Sequence, residues 1–345
     1  MRTVTYVRNK TVEIVDKPIP DIGADEVLVK ITGAGLCHSD LHLIEMGDDN
    51  PLIGSTLGHE GAGIVERVGE DVTRWKVGDA VLVALVLSCG ECRECLAGRD
   101  SQCLVASPRG ALAPAAPGIG TPGCMAEYLA VKSHHLDSLE GLDPATAAPL
   151  ADAALTPMHS VVTVRPWLTG DATVVVLGLG GLGHVALQIL AATCGSKIIA
   201  LDTDPEKLKY AESLGALAIP SNGEAADRIL AETGGRGADV VLDYVGVQPT
   251  VDLSLKVIAQ GGAIRFVGLG GGNFPYAAGI DPSIPWGVNV ERPYGGNRSD
   301  LNEALALARN GKIHVEVTHY ALDDAVQAFH DLEGGKIQGR IVLVP

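Results

Sequence analysis

Hydrophobic positions divide the chain into two regions with different periods. Up to about residue 150, short β-branched runs such as 11–15, 26–31 and 80–84 are cut by glycine and proline. Few stretches in this region keep a helical period over the length of a helix. The pattern therefore predicts mostly antiparallel β-structure with long loops.

From Asp143 onward, alanine-rich helical stretches alternate with fully apolar runs. Strands that are apolar on both faces and alternate with helices predict a parallel, doubly wound sheet. A helix led by Ser299 and Asp300 follows, and the last β-branched run, 340–344, is predicted to return to the first region. The fold class is α/β, with a β-rich part and a parallel sheet. The apolar runs are 172–177, 197–201, 240–243 and 263–267.

A glycine-rich segment, Gly178-Leu-Gly-Gly-Leu-Gly183, follows the first of these apolar runs directly and leads into a helical stretch. A strand before and a helix after the glycines are the context of a dinucleotide-binding loop. Gly178 permits the tight turn, Gly180 lets the backbone approach the pyrophosphate, and Gly183 lets the helix pack on the strand. The helix N-terminus then offers N–H groups to the phosphates. A glycine-rich turn without a nucleotide is the alternative.

The next apolar run, 197–201, ends in Asp202. A carboxylate at this position accepts hydrogen bonds from the adenosine ribose and repels a 2′-phosphate, which favours NAD over NADP. The alternative is that Asp202 only caps a surface turn.

Length and charge limit the classes of protein to consider. At 345 residues the chain is long enough for about two domains. Its net charge of −16 disfavours nucleic acid and anionic membranes as partners. The first ten residues contain no apolar stretch of signal-peptide length, and no later run is long and uncharged enough to span a bilayer. We expect a soluble, cytoplasmic protein.

Four of the seven cysteines, Cys89, Cys92, Cys95 and Cys103, lie in one hydrophilic loop. Four thiolates at this spacing can surround Zn²⁺ tetrahedrally and leave no position open for a substrate, so they predict a structural zinc site. Disulfides are the alternative, but clustering in one polar loop favours a metal and a reducing compartment.

A second group of metal-binding residue types lies in the β-rich half. A catalytic zinc needs three protein ligands and one open position. Cys37 and His59 are the first two candidates, and Asp152, a carboxylate in apolar surroundings, is the candidate for the third. Each has an alternative: Cys37 as a small buried residue and His59 as an ordinary hydrogen-bonded histidine.

The chain resembles the zinc-dependent medium-chain alcohol dehydrogenases over nearly its whole length. The segment 58–72, which begins Gly-His-Glu-Gly-Ala-Gly, fits the zinc signature of that family, and the loop 89–103 has the spacing of its structural zinc site. The resemblance implies a GroES-like catalytic domain over 1–152 and 295–345 and a Rossmann NAD-binding domain over 153–294.

Two zinc ions and NAD are the cofactors that the resemblance implies. It makes Cys37, His59 and Asp152 the ligands of the catalytic zinc, with Glu60 beside the metal. Asp40 would orient His59, Ser39 would touch the substrate oxygen, and His42 would pass the proton to solvent, although an exposed histidine without this role is the alternative. The residues assigned to the cofactor are His38, Gly178, Gly180, Gly181, Leu182, Gly183, Asp202, Lys207, Val245, Gly268 and Arg340; of these, His38 and Arg340 would contact the pyrophosphate.

The function implied is reversible oxidation of an alcohol to an aldehyde or ketone. An acidic residue at 152, where many members have cysteine, makes bacterial enzymes of secondary and aryl alcohols the most similar. A polyol or ω-hydroxy-acid dehydrogenase is the alternative within the family, and a catalytically silent nucleotide-binding protein is the alternative outside enzymes. The resemblance also implies a homotetramer. Substrate preference depends on 46–51, 107–118 and Cys124, which depart from the family pattern.

Overall fold

The computed structural model describes residues 1–47, 50–111, 113–275, 284–337 and 339–345. Residues 48, 49 and 112, which belong to the two segments predicted to affect substrate preference, lie outside this description. The chain forms two compact units. The first contains Met1–Leu155, Asn297–Arg309 and Val315–Pro345, and the second contains Thr156–Gly296 and Asn310–His314. The predicted domain limits stay a prediction.

The first unit is built on a seven-stranded, mainly antiparallel sheet in the order β16-β17-β3-β4-β5-β9, with β8 paired to β3. Two small sheets, β1-β2 and β6-β7, complete its β-structure. Its strands are β1 Arg2–Tyr6, β2 Val12–Asp16, β3 Glu26–Leu36, β4 Glu60–Val68, β5 Ala80–Val83, β6 Ala116–Pro117, β7 Gly120–Thr121, β8 Tyr128–Lys132, β9 Leu136–Ser138, β16 Val317–Ala321 and β17 Arg340–Val344. Its helices are α1 His38–Glu45, α2 Arg93–Leu96, α3 Pro144–Ala147, α9 Arg298–Arg309 and α10 Ala325–Glu333.

The predicted return of the last β-branched run to the first region is confirmed. Strand β17 lies in the interior of the sheet, parallel to β16 and antiparallel to β3. Its residues Ile341 and Leu343 are fully buried and belong to the same apolar core as Val29 and Ile31 of β3. Burial of this face stabilises the unit by about 25 cal/mol for each Å² of apolar surface removed from water.

The second unit is built on a six-stranded parallel sheet in the order β12-β11-β10-β13-β14-β15. The doubly wound sheet predicted from the apolar runs is confirmed. Its strands are β10 Thr173–Leu177, β11 Lys197–Asp202, β12 Leu217–Pro220, β13 Ala238–Asp243, β14 Ile258–Phe266 and β15 Asn289–Glu291. Its helices are α5 Gly183–Thr193, α6 Pro205–Ser213, α7 Ala225–Glu232 and α8 Gln248–Val257, and α4 Leu155–Val162 leads into it.

Strand β10 lies between β11 and β13, where the strand order reverses. In open parallel sheets, ligands bind beyond the carboxyl ends of the strands at such a reversal. The glycine-rich segment that follows β10 is therefore placed where a ligand of this fold is expected. No helix within the described ranges is long and apolar enough to cross a lipid bilayer.

Candidate metal centres and cofactor loop

The four cysteines of the loop 89–103 come together as one cluster, which we call the lobe cluster. The sulfur of Cys95 lies 3.9 Å from that of Cys89 and 3.6 Å from that of Cys92, and the sulfurs of Cys103 and Cys89 are 3.6 Å apart. A tetrahedron with Zn–S bonds of about 2.3 Å has S···S edges of about 3.8 Å. A disulfide needs a separation of about 2.05 Å. The cluster therefore fits a tetrahedral metal and excludes the disulfide alternative, and all seven cysteines are free thiols.

Backbone N–H groups favour thiolate in this cluster. They lower the pKa of Cys92 to about 6, mainly through the N–H groups of Cys95 and Leu104. At Cys103 burial works in the opposite direction, but N–H groups that include those of Cys89 and Ala106 lower its pKa. Burial and the neighbouring thiols instead raise the pKa of Cys95 to about 12. A bound cation would be needed to hold all four as thiolates at neutral pH.

Residues at the start of helix α9 bind the segment 89–103, which we call the lobe, to the rest of the first unit. The side-chain oxygen of Asn297 accepts hydrogen bonds from the backbone N–H and the hydroxyl of Ser101. The backbone N–H of Arg298 donates to the carboxylate of Asp100 at 3.0 Å. The Arg298 guanidinium donates in turn to buried Asp137. These anchors were missed from the sequence, because no local pattern relates positions almost 200 residues apart.

A second group of possible metal ligands lies around His59. Its first member along the chain is Cys37. Cys37 caps helix α1: its sulfur accepts the N–H of Ser39 at 3.2 Å, and the Asp40 carboxylate accepts the N–H of Cys37 at 3.0 Å. This reciprocal cap fixes the sulfur and the carboxylate relative to each other. Both side chains are buried.

The His59 ring lies between ligand candidates on one edge and Asp40 on the other. Its Nε2 is 3.3 Å from the sulfur of Cys37 and 3.8 Å from Oδ2 of Asp152. Its Nδ1 is 3.3 Å from Oδ1 of Asp40, close enough for an ion pair but without hydrogen-bond alignment. A metal-binding imidazole has this arrangement, with one nitrogen towards the metal and the other oriented by a carboxylate. Burial lowers the pKa of His59, but the charges of Asp40 and Cys37 outweigh it and raise the pKa well above its usual value.

Glu60 and Arg340 add one charge of each sign to this group. The Arg340 guanidinium pairs with Glu60 and lies 3.4 Å from Oδ2 of Asp152. Burial raises the pKa of Glu60 to about 7, against the lowering effect of Arg340. Burial opposes the charge of Arg340, but Glu60, Cys37 and Asp152 outweigh it and raise its pKa. The Nη2 atom of Arg340 therefore lies between the carboxylates of Glu60 and Asp152. Contact of Arg340 with a pyrophosphate stays a prediction.

The predicted ligands Cys37, His59 and Asp152 do not form one compact set. They belong to two overlapping sets that share His59, one with Cys37 and Asp40 and one with Glu60 and Asp152. Oε2 of Glu60 is buried and has no hydrogen-bond partner among the described residues. Sulfur, imidazole and carboxylate donors with a spare buried oxygen fit a divalent zinc ion. We call these residues, together with Arg340, the His59 cluster.

Cys124 lies beside this cluster. A side chain on Gly61, the residue after Glu60, would overlap the Cys124 sulfur. Burial raises the pKa of the Cys124 thiol to about 12, so this thiol stays neutral and differs from a thiolate ligand.

Ser39 and His42, predicted for proton transfer, and His38, predicted to contact the pyrophosphate, lie on helix α1. Ser39 is half-buried, and His38 and His42 are exposed. The Nδ1 atom of His42 is 3.5 Å from a carboxylate oxygen of Glu45. The helix thus brings the candidate proton carriers to one short element that begins at Cys37.

The glycine loop makes the tight turn and the close packing predicted from the sequence, and its binding of a dinucleotide stays a prediction. Gly178 has a φ of +84°, a conformation that favours glycine, and a side chain there would overlap Val245. A side chain on Gly183 would overlap the carbonyl of Gly178, whereas one on Gly180 would meet nothing within 4 Å. Gly180 therefore faces open space. Leu182 directly precedes helix α5, and Gly181 lies between Gly180 and Leu182.

Asp202 ends β11 beside this loop. Its carboxylate accepts the N–H of Leu179 at 2.7 Å and that of Asp204 at 2.9 Å. Lys207 lies 4.0 Å from it, a weak ion-pair distance. Gly268 packs so closely on the backbone of Val245 that a side chain there would overlap it. The loop, Asp202, Val245 and Gly268 therefore lie at the carboxyl ends of neighbouring strands.

Comparisons with known proteins agree with this architecture. Residues 23–140 match the alcohol dehydrogenase GroES-like domain, and residues 181–310 match the zinc-binding dehydrogenase domain. The chain is 34% identical to an NAD-dependent alcohol dehydrogenase of Sulfolobus acidocaldarius, over 95% of this chain and 94% of that one. It is 33% identical to a D-arabinose 1-dehydrogenase (NADP(+)) of Saccharolobus solfataricus, over the whole of both chains.

Solved structures show the same likeness. The alcohol dehydrogenase of Aeropyrum pernix is 34% identical, with a TM-score of 0.90 and complete coverage of both chains. Acetophenone reductase from Geotrichum candidum, solved in complex with NAD, is 28% identical with a TM-score of 0.85, over 100% of this chain and 97% of that one. Identity above 30% over full length, together with both domain matches, settles the family. This chain belongs to the zinc-dependent medium-chain alcohol dehydrogenases.

Proposed function

We propose that this enzyme interconverts secondary or aryl alcohols and the corresponding ketones or aldehydes, with NAD as the hydride acceptor. The observation that carries the proposal is the position of the His59 ring. Its Nε2 faces both Cys37 and Asp152, and its Nδ1 faces Asp40. This arrangement suits a zinc site that binds an alcohol oxygen. When bound, zinc supplies a Lewis acid that lowers the pKa of the alcohol, and NAD supplies the hydride acceptor.

The protein's own residues would hold the metal and remove the proton. Cys37, His59 and Asp152 supply one thiolate, one neutral imidazole and one carboxylate, whose charges balance a divalent ion. Asp40 orients His59 through Nδ1. Half-buried Ser39 would accept the hydroxyl proton as it releases its own towards His42, and His42, exposed on the next turn of the same helix, would transfer a proton to solvent. His38 and Arg340 are proposed to contact the pyrophosphate.

The cofactor preference follows from Asp202. Two backbone N–H groups hold this carboxylate beside the glycine loop, so its negative charge is fixed there. A fixed anion next to the adenosine ribose disfavours the 2′-phosphate of NADP. Lys207, 4.0 Å away, reduces this effect without removing it.

The proposed class of alcohol is supported by one residue and one relative, and a second relative supports another candidate. The acidic residue at 152 is the feature through which the chain resembles enzymes of secondary and aryl alcohols, and the acetophenone reductase is named for an aryl ketone. The D-arabinose dehydrogenase supports a polyol or sugar as the second candidate. We further propose two zinc ions per chain, one in each cluster, and a cytoplasmic homotetramer.

The test follows nicotinamide absorbance with NAD and, separately, NADP. The alcohols are a primary aliphatic, a secondary aliphatic, a secondary aryl, a polyol and an aldopentose. We expect turnover with NAD on the secondary or aryl alcohols, loss of turnover after chelation, and recovery with Zn²⁺. A higher kcat/KM on the polyol or aldopentose would replace the proposed substrate class. Preference for NADP would contradict the role of Asp202.

A further inference from the structure

We infer that His184 is a positioning residue for the cofactor, because its ring fixes the peptide that faces the pyrophosphate. The inference rests on the proposed use of NAD at the glycine loop. His184 is the second residue of helix α5 and is buried. Its Nδ1 lies 2.8 Å from the carbonyl oxygen of Gly180. Because a carbonyl only accepts, Nδ1 must carry the hydrogen, and this fixes which ring nitrogen donates.

The carbonyl of Gly180 receives two hydrogen bonds from the same residue. Besides the ring, the backbone N–H of His184 donates to it at 3.1 Å. Two donors from one residue hold both the position and the tilt of this carbonyl, whereas the helical hydrogen bond alone leaves the tilt free. The ring therefore adds orientation to a contact that the helix already makes.

Fixing this carbonyl also directs the next N–H group. In a trans peptide the C=O of one residue and the N–H of the following residue point in opposite directions. With the Gly180 carbonyl held against α5, the N–H of Gly181 points away from the His184 ring. Gly180 itself faces open space, since a side chain there would meet nothing within 4 Å. Backbone N–H groups at a helix start bind phosphate best when their direction is set before the anion arrives.

The helix that carries His184 is itself held in place. One turn further along, the buried Gln188 amide donates to the carbonyl of His314 at 2.8 Å and accepts the N–H of His314 at 2.7 Å. This pair fixes α5 against the segment 310–314 of the same unit. Gln188 therefore provides a control: it stabilises the same helix, also donating to the carbonyl of His184 at 3.3 Å, but no described hydrogen bond joins it to the carbonyl of Gly180.

The experiment measures the Kd of NADH by fluorescence, with KM for NAD, kcat, and the melting temperature with and without NADH. Three substitutions are compared. His184→Asn places an amide N–H near the position of Nδ1, His184→Leu removes the donor at similar volume, and His184→Gln carries its amide one bond further. We expect Asn to stay within about twofold of the parent, and Leu and Gln to raise Kd and KM about fivefold with kcat nearly unchanged.

Gln188→Met should lower the melting temperature of the free protein and leave the Kd of NADH unchanged. The inference is overturned if His184→Leu binds NADH as the parent does, or if Asn and Leu weaken binding equally, which would mean that ring volume matters and the hydrogen bond does not. If the parent protein does not bind NADH at all, the proposed cofactor is wrong, and the role of His184 fails with it. If His184→Leu does not fold, the Kd values of His184→Asn and His184→Gln are compared instead, and equal values would overturn the inference.

Discussion

The lobe cluster and the His59 cluster use different ways to collect metal-binding side chains. The lobe takes four identical donors from the continuous segment 89–103, with three S···S separations of 3.6–3.9 Å. The His59 cluster takes unlike donors from α1, the start of β4 and the segment around Asp152, and it includes the cation of Arg340 from β17. All ligands of the lobe cluster therefore come from one short segment. The His59 cluster forms only when strands that are distant in the sequence pair in the correct register.

This difference suggests different consequences of substitution. Four thiolate ligands leave no position on the metal open for a substrate. Substitution of a lobe cysteine is therefore expected to change the stability of the protein. The His59 cluster contains carboxylates close to both His59 and Arg340, and its members have strongly shifted pKa values at Glu60 and His59. Buried groups with such shifts are typical of catalytic sites. The predictions below test this division, from the largest effect to the smallest.

Replacing His59 should have the largest effect. His59→Gln is expected to reduce kcat/KM by more than about 100-fold, because changes outside the ligand set alone cost about 10–100-fold. Metal analysis should show one zinc ion lost per chain, and the melting temperature should change little. Full turnover with one zinc ion lost would break the proposed division between the two clusters.

Removing a sulfur from the lobe should act on stability. Cys103→Ser is expected to lower the melting temperature by about 10 °C, since loss of a structural metal is among the large destabilising changes. One zinc ion should be lost while kcat at low temperature is retained. Cys194→Ser is the matched control, because that thiol belongs to neither cluster and, among the described residues, donates to the carbonyl of Leu190. Equal melting temperatures for both variants would contradict a structural role for the lobe.

Asp40→Asn should reduce activity by about 10–100-fold, because an amide cannot stabilise the His59 ring as a carboxylate does. The substitution keeps the size of the side chain and an oxygen that can still accept the N–H of Cys37. Zinc affinity, measured by competition with a chelator, should fall together with activity. Unchanged zinc affinity would mean that the 3.3 Å approach of Asp40 to His59 has no role in metal binding.

The smallest expected effect is a pH dependence of stability that arises from His135, which contacts the residue before the lobe. Burial lowers the pKa of His135 to about 4, although its hydrogen bond to the carbonyl of Ser88, next to Cys89, acts in the opposite direction. A histidine with a lowered pKa in the folded state contributes stability that is present above pH 6.5 and is lost as the pH falls through 4. His135→Gln keeps a donor for Ser88 and cannot titrate.

We expect the free energy of unfolding of the parent to fall by about 1–2 kcal/mol more than that of His135→Gln between pH 6.5 and 4. Denaturant titrations at matched pH measure this difference, and loss of zinc in acid affects both proteins alike. Parallel curves for the two proteins would show that His135 does not contribute to acid sensitivity.

Local patterns predicted the elements whose residues are close in the chain. The lobe ligands and the turn at Gly178 each depend on positions a few residues apart, and spacing determines their geometry. The pairing of Arg340 with Glu60 joins positions 280 residues apart and depends on β17 entering the sheet next to β3. The anchors at Asn297 and Arg298 also join distant positions and require packing that no periodicity specifies.

The interior position of β17 has a consequence for how the protein is made. Ribosomes deliver residues 156–296 of the second unit before position 340, so the end of β3 that pairs with β17, residues 34–36, stays without this partner while the parallel sheet is synthesised. Unpaired edges in a nascent chain are sites of aggregation. A truncation before Arg340 would leave that edge open permanently and remove the only guanidinium beside Glu60 in the described structure. The sheet of the first unit can therefore be completed only after most of the second unit has been synthesised, and we expect dependence on chaperones to be concentrated in the first unit.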